Sequence, residues 1–311
     1  MAIETENPIN EEVEVEEEAV VQLPPEEGEE ITEESEQDFY ANIAETIDDK
    51  ALSQLASDLI SEYQSDKESR KEWEDTYRNG LDLLGFKYKS TTQPFKGASN
   101  VTHPLLSEAV TQFQAQAYKE LLPSDGPVKT KIVGVQNETV EAQAERVKDF
   151  MNFQIMEKME EYTPEFDQLL FYLPLAGSAF KKVYYDESLG RAVSKFIAPE
   201  DLIVPYYTTD LESCPRITNV VKMPENEVRK LQALGFYRKV DIDFGDDATT
   251  SSDVKEEIEK LSGMEPSYDD GEVSVLYEVH CNLELDGFED MDESGEMTGV
   301  KLPYIVTIDA N

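Results

Sequence analysis

Two histidines, two cysteines and 68 carboxylates are the groups in this 311-residue chain that could do chemistry beyond packing. A thiol or hydroxyl nucleophile needs a base beside it, and the candidate bases are His103 and His280. His103 precedes Pro104 at the start of a helical pattern, a place suited to capping or packing. His280 is followed by Cys281 inside a strand pattern, so the two side chains point to opposite faces and form no dyad. Cation chemistry has one candidate loop. Asp290, Asp292, Ser294 and Gly295 match positions 1, 3, 5 and 6 of a calcium-binding EF-hand loop, but position 12, which should be a bidentate Glu, is Lys301. The loop therefore reads as a solvated hairpin tip. The patterns H-E-x-x-H, C-x-x-C, G-x-x-x-x-G-K-[ST] and G-x-G-x-x-G are all missing. Acids are too abundant for any carboxylate pair to be singled out for glycoside hydrolysis. The expectation is a protein with no catalytic residues, no metal ligands and no cofactor.

One basic cluster stands out. Lys181, Lys182, Arg191 and Lys195 fall on a single predicted hairpin, opposed by Asp186 and Glu187. Two readings compete. In one, the cluster is a solvated sheet edge whose long stems snorkel. In the other, it is a strip that meets an acidic face of a neighbouring subunit.

The rest of the charge is acidic. With 27 Lys and Arg against 68 Asp and Glu, the net charge is −41. That argues against a broad basic face for nucleic acid and disfavours docking on an anionic membrane. No run approaches the roughly 18 apolar residues of a bilayer span, and the N-terminus lacks the basic and apolar regions of a secretory signal. Cys214 and Cys281 are too few for a disulfide framework and fit a reducing compartment.

Three regions follow from pattern. Residues 1–38 hold 16 acids and no Lys or Arg, and read as a disordered acidic tail. Residues 39–175 read as mainly helical. Ile43, Ile47, Leu52, Leu55, Leu59 and Tyr63 recur at helical steps, with a break expected at Asp48-Asp49. Trp73 and Tyr77 lie four apart, and Gly80 and Gly85 flank a leucine group. Residues 87–101 read as a polar loop. Leu105, Val110, Phe113 and Leu121 belong to an apolar helical stripe after Pro104, and Val140, Ala144, Val147, Met151 and Ile155 to the buried face of another helix. A short strand is predicted over Lys129–Val135, and Thr163-Pro164-Glu165 should start a third helix. Residues 176–311 read as α+β with antiparallel strands. At Gly177 the period changes to 2, giving a hairpin from Phe180 to Tyr185 and Arg191 to Ile197. A connector follows with Leu202, Ile203 and Val204 buried. Then come a strand over Arg216–Met223, a helix through Val228, Leu231 and Leu234 closed by Gly235, and a short helical run through Val254, Ile258 and Leu261. Strands over Val273–Leu285 and Val300–Ile308 complete the pattern. The fold class is α+β rather than a doubly wound parallel sheet. The closing strand is followed at once by the last residues, which suggests the N-terminal part of a longer protein.

Four segments carry a resemblance: Asn100-Val-Thr-His-Pro-Leu-Leu-Ser-Glu-Ala-Val; Gly126-Pro-Val-Lys-Thr-Lys; the unbroken run Glu165 to Asp186 (EFDQLLFYLPLAGSAFKKVYYD); and Pro199-Glu-Asp-Leu-Ile-Val-Pro, followed by Thr209 to Arg216. Gln93–Asn219 resembles the portal proteins of short-tailed bacteriophages, about 40% of the chain. The resemblance implies a virion protein at the capsid vertex that forms a homo-oligomeric ring, usually of twelve subunits. Terminase, capsid or scaffolding proteins and tail adaptors dock on such rings, and viral DNA passes through the channel during packaging and ejection without being read. It also implies that this chain is mainly the outer wing with part of the hip, the stem, clip and crown lying beyond Asn311. Two further readings are an acidic module that mimics DNA or binds basic proteins, and a hydrolase using scattered carboxylates.

Overall fold

A computed structural model describes residues 42–85, 95, 97, 98, 103–186, 189–242, 273–292 and 294–309. The acidic tail 1–38, most of the loop 87–101 and the run through Val254, Ile258 and Leu261 lie outside the described residues.

Helix α1 is Asp49–Ser69, and it starts where the break was expected: the Asp48 carboxylate accepts the Lys50 N–H at 3.2 Å. Only a 3-10 turn, Ile43–Glu45, precedes it among the described residues. A one-residue break at Arg70 leads into α2, Lys71–Leu84. Gly80 lies inside α2, and a Cβ there would just touch Leu175 at 3.4 Å. Helix α3, Leu105–Leu121, follows Pro104 as expected. Helix α4, Glu138–Phe153, is capped by Asn137, whose side chain accepts the Val140 N–H at 2.8 Å, and runs into a π-helical turn, Gln154–Lys158. Helix α5, Tyr162–Ala176, ends on Gly177 at φ 81°, a left-handed cap that glycine adopts without steric cost. It begins before Thr163, with Glu161 at the cap position, so Thr163 is not the cap.

Strands β1, Phe180–Asp186, and β2, Arg191–Ile197, form an antiparallel hairpin in the register Phe180↔Ile197. A separate antiparallel sheet has the order β3-β4-β5-β6: Leu202–Ile203, Arg216–Pro224, Val273–Leu283 and Leu302–Asp309. Helix α6, Glu225–Ala233, follows β4, with Val228 fully buried and Gly235 at positive φ just after it; Leu234 is exposed rather than packed. These elements make an α+β fold with antiparallel strands.

The principal core follows from strand alternation. Val275, Tyr277, Val279 and Cys281 share one face of β5 and pack, with Ile203 and Ile308, on Leu59 and Tyr63 of α1. The Tyr63 and Tyr277 rings lie 4.3 Å apart. A second cluster joins Tyr77 and Leu81 of α2 to Ala176 of α5; Trp73 stacks on Tyr77 at 5.2 Å and donates its indole N–H to the Ala176 carbonyl at 3.1 Å.

Three expectations need correction. Lys129–Val135 is not a strand: it finds no ladder partner among the described residues, and Val133 is 91% exposed. Val204 is half-buried, whereas Leu202 and Ile203 are buried. The stripes of α3 and α4 are covered only in part: Val110 is buried and Leu106, Ala117, Tyr118, Val140, Ala144 and Ile155 are half-buried, whereas Leu105, Phe113, Leu121, Val147 and Met151 are exposed. Among the described residues, no helix is long and apolar enough to cross a membrane.

Candidate functional site

The basic hairpin is the place where sequence-selected residues meet other elements. The register sets Lys182 directly opposite Lys195, and Asp186 opposite Arg191, so these four side chains share one face. Lys181 is one residue out of phase and lies on the other face. The four cations therefore do not form one strip.

Two like charges facing across a ladder repel. Here β5 relieves the repulsion. Glu278 receives Lys182 Nζ on both carboxylate oxygens, at 2.5 and 2.6 Å, and His280 Nε2 lies 3.0 Å from Oε1. Burial alone would raise the Glu278 carboxyl, but the hydrogen bonds from His280 and Lys182 outweigh it and hold the group down at about 2. Because a carboxylate only accepts, the imidazole Nε2 carries the proton. Glu278 and His280 lie on the face of β5 opposite the core residues Val279 and Cys281. Lys195 remains exposed.

Arg191 is also engaged within the chain. Its Nη1 lies 2.8 Å from Glu161, whose carboxylate also accepts the Ser194 N–H at 3.2 Å. Burial pushes the Glu161 carboxyl up, yet these partners and its own backbone N–H leave it below its ordinary value. Glu165, four residues on, accepts the Phe196 N–H at 2.6 Å, and Phe196 stacks on Tyr172 at 5.4 Å. Helix α5 is thus fastened along β2 by two carboxylates one turn apart and a ring pair. On the hairpin's other face, Lys181 Nζ stands 3.8 Å from the Tyr162 ring centroid and 5.1 Å from that of Phe166. Burial lowers its ammonium pKa, against the pull of Glu165 and Glu161.

Two further ion centres were not singled out from sequence. Arg70, at the α1–α2 break, donates to the carbonyls of Pro199, Leu202 and Glu200 at 3.2, 2.8 and 2.7 Å, and to Glu74 at 2.8 Å. Arg216 on β4 grips Asp66 of α1 through Nε and Nη2 at 2.6 and 2.9 Å and reaches Glu62 at 3.0 Å. Both arginines sit among many charges that read as a solvated face, and no local spacing marks them. The signal that could have raised Arg70 is its place between two helical patterns.

The other sequence candidates stay apart. His103 is exposed at the start of α3, its carbonyl accepting the Leu105 N–H. In the acidic loop, Asp292 Oδ1 accepts from Ser294 N–H, Ser294 Oγ–H and Glu296 N–H, and Asp290 accepts from Thr298, so protein donors occupy these carboxylates. Among the described residues, no three His, Cys, Asp or Glu side chains are grouped to hold a metal ion. What the site does chemically is couple elements: the hairpin is bound to α5 by Arg191–Glu161 and to the sheet by Lys182–Glu278. The sequence matches no protein-family model and no curated protein.

Proposed function

We propose that the chain is a structural subunit of a portal ring at the capsid vertex of a short-tailed phage. With its copies it would form the passage for viral DNA, and its outer surface would receive terminase, capsid or scaffolding proteins and tail proteins. The observation that carries the reading is the exposed part of the apolar stripes on α3 and α4. Leu105 of α3 is 67% exposed and Val147 of α4 54%, although both lie in patterns that sequence assigns to a core. Large apolar side chains left at the surface are what a protein that works in contact with others presents.

The resemblance supplies the kind of assembly. Its longest segment, Glu165 to Asp186, spans α5, the Gly177 cap and β1 in one run, and its last lies where Arg70 gathers three carbonyls. Ion-pair coupling of these parts suits a rigid block. A net charge of −41 suits a wall past which DNA slides, since basic side chains would grip each phosphate they met.

Electron microscopy and native mass measurement of the full-length protein test the reading. Twelve-membered rings are the expected result; a protein that stays monomeric under assembly conditions overturns it. The second reading, an acidic module that mimics DNA or binds basic proteins, draws on the 16 acids of residues 1–38. Deleting them would abolish partner binding in that case, whereas a ring subunit lacking them still assembles.

A further inference from the structure

Two stretches of this chain are shaped for a β-ladder that the chain itself does not complete. The first is the outer edge of β1. On β2, the Ser194 and Phe196 N–H groups turn away from the hairpin to the carboxylates of Glu161 and Glu165. Their ladder partners, Val183 and Lys181, therefore turn their own N–H and C=O groups away from β2, and Tyr185 follows in phase. Among the described residues nothing bonds these groups, and β1 has β2 as its one ladder neighbour. Val183 and Tyr185, on one face of that edge, are 67 and 64% exposed. Such an edge is a template for another strand.

The second stretch is Lys129–Val133. Just before it, Val128 is held by Asn152 near the C-terminal end of α4; just after it, Asn137 caps the N-terminal end of the same helix. Those two points lie about 22 Å apart along the helix. Nine residues cover the distance at about 2.5 Å each, which takes an extended backbone. The strap is thus drawn out before any partner arrives, as far as Gly134, where φ is 110° and strand geometry stops. Among the described residues no backbone group from Lys129 to Val133 has a hydrogen-bond partner, and Val133 is 91% exposed.

We propose that the strap Lys129–Val133 of one copy adds to the β1 edge of a second copy as a third strand. Three observations select this occupant. The five-residue strap matches the five residues, Lys181 to Tyr185, whose outward groups line the edge. With both ends held on α4 the strap forms no ladder with β1 of its own chain, and its ordering entropy is already lost when another molecule meets it. Finally, copies at −41 repel, and both stretches are locally positive: residues 127–137 hold two Lys and no acid, and Phe180–Asp186 two Lys and one Asp. The β1 lysines are already engaged, Lys182 by Glu278 and Lys181 over the Tyr162 ring, so Lys129 and Lys131 meet no free cation there. Main-chain bonds supply the affinity, and Val133 beside Val183 and Tyr185 adds apolar cross-strand contact. The contact does not depend on the portal reading, because a two-fold pair and a closed ring both satisfy it.

The test uses the full-length protein with a photo-crosslinking residue in place of the exposed Val133. In a mixture of unlabelled and nitrogen-15-labelled copies, mass analysis should find crosslinks to Phe180–Asp186, with half of them joining one labelled and one unlabelled chain when the two are present in equal amounts. Val183→Pro removes an outward N–H and spares the bonds to β2, so it should abolish assembly with far-ultraviolet dichroism retained. Val183→Thr keeps the N–H and should keep assembly. The crosslink decides the matter if Val183→Pro fails to fold. Crosslinks that are absent, that stay within one copy or that reach another surface overturn the proposal, as does a folded Val183→Pro protein that assembles normally; rings that persist in either case leave the portal reading standing. Assembly that stops at crosslinked pairs supports the strand addition and overturns the portal reading, and a native protein that stays monomeric overturns both.

Discussion

Lys182 and Glu278 are 96 positions apart in sequence, and their side chains meet at 2.5 and 2.6 Å, fastening the β1–β2 hairpin to β5. The bond has a pH signature. Folding lowers the Glu278 carboxyl from its ordinary 4.5 to about 2. A depressed carboxylate contributes stability in full above its unfolded value and loses it as pH falls through the folded value. The contribution of this pair is therefore complete above about pH 4.5 and fades toward pH 2. Glu278→Gln should cost about 1–2 kcal/mol at neutral pH, allowing for the partial exposure of Lys182. Urea denaturation of both proteins from neutral pH down to about 3 should show that difference shrinking in the acid range. A difference that stays constant with pH would sink the assignment.

Gly126 and Gly177 both take positive φ, 91° and 81°, yet their replacement should not cost the same. At Gly177 an added Cβ meets nothing within 4 Å, so Gly177→Ala carries the left-handed backbone penalty alone, about 1–2 kcal/mol. At Gly126 the Cβ would overlap the Asn152 side chain, the group that holds α4 to the Val128 backbone. Gly126→Ala should add the loss of those bonds, for a total of about 3 kcal/mol. Amide exchange in α4 should rise in that variant and stay unchanged in Gly177→Ala. Equal costs, with α4 exchange unaltered, would refute the anchoring role of Asn152.

The local signals were legible where one element settles its own geometry. Asp48 before a helical run, the change of period at Gly177 and the alternation through β1, β2 and β5 all predict what forms. Periodicity also finds the apolar faces of α3 and α4, but it says only that a face is apolar, not what covers it. Alternation misleads at Ile132 and Val133 because a strand exists only with a ladder partner, which the segment does not reveal. The out-of-phase placement of Lys181 was legible, since neighbours on a strand point to opposite faces. The partners were not: among 68 acids nothing in the sequence selects Glu278 for Lys182 or Glu161 for Arg191.

The two cysteines should differ in reactivity. Cys281 is buried in the β5–α1 core, and burial, with some help from Glu62, pushes its thiol up to about 11. Cys214 is half-buried before β4, its Sγ–H donating to the Arg216 carbonyl at 2.8 Å. Because the thiolate is the reactive form, alkylation at mildly alkaline pH followed by peptide mass analysis should find Cys214 modified and Cys281 protected. Cys281 should become reactive only in denaturant. Rapid modification of Cys281 in the folded protein would contradict its place in the core.

Arg70 couples the break between α1 and α2 to the segment that leads into β3. Its guanidinium presents donors in a planar fork, and the carbonyls of Pro199, Glu200 and Leu202 converge on Nη1 and Nη2 while Glu74 takes Nε. A lysine ammonium retains the charge but cannot reach a carboxylate on one side and three carbonyls on the other. Hydrogen bonds to a charged donor contribute about 1.5–3 kcal/mol each, and the net loss in Arg70→Lys should be about 3 kcal/mol. The loss should be local as well as global. The Val220 N–H donates to the Asp201 carbonyl at 2.8 Å, within the segment that Arg70 holds. Its amide should exchange faster in Arg70→Lys than in the native protein, whereas amides in the β1–β2 ladder, which Arg70 does not touch, should slow or quicken only as global stability dictates. A variant in which Val220 keeps native protection would show that the backbone of 199–205 holds its shape without the guanidinium.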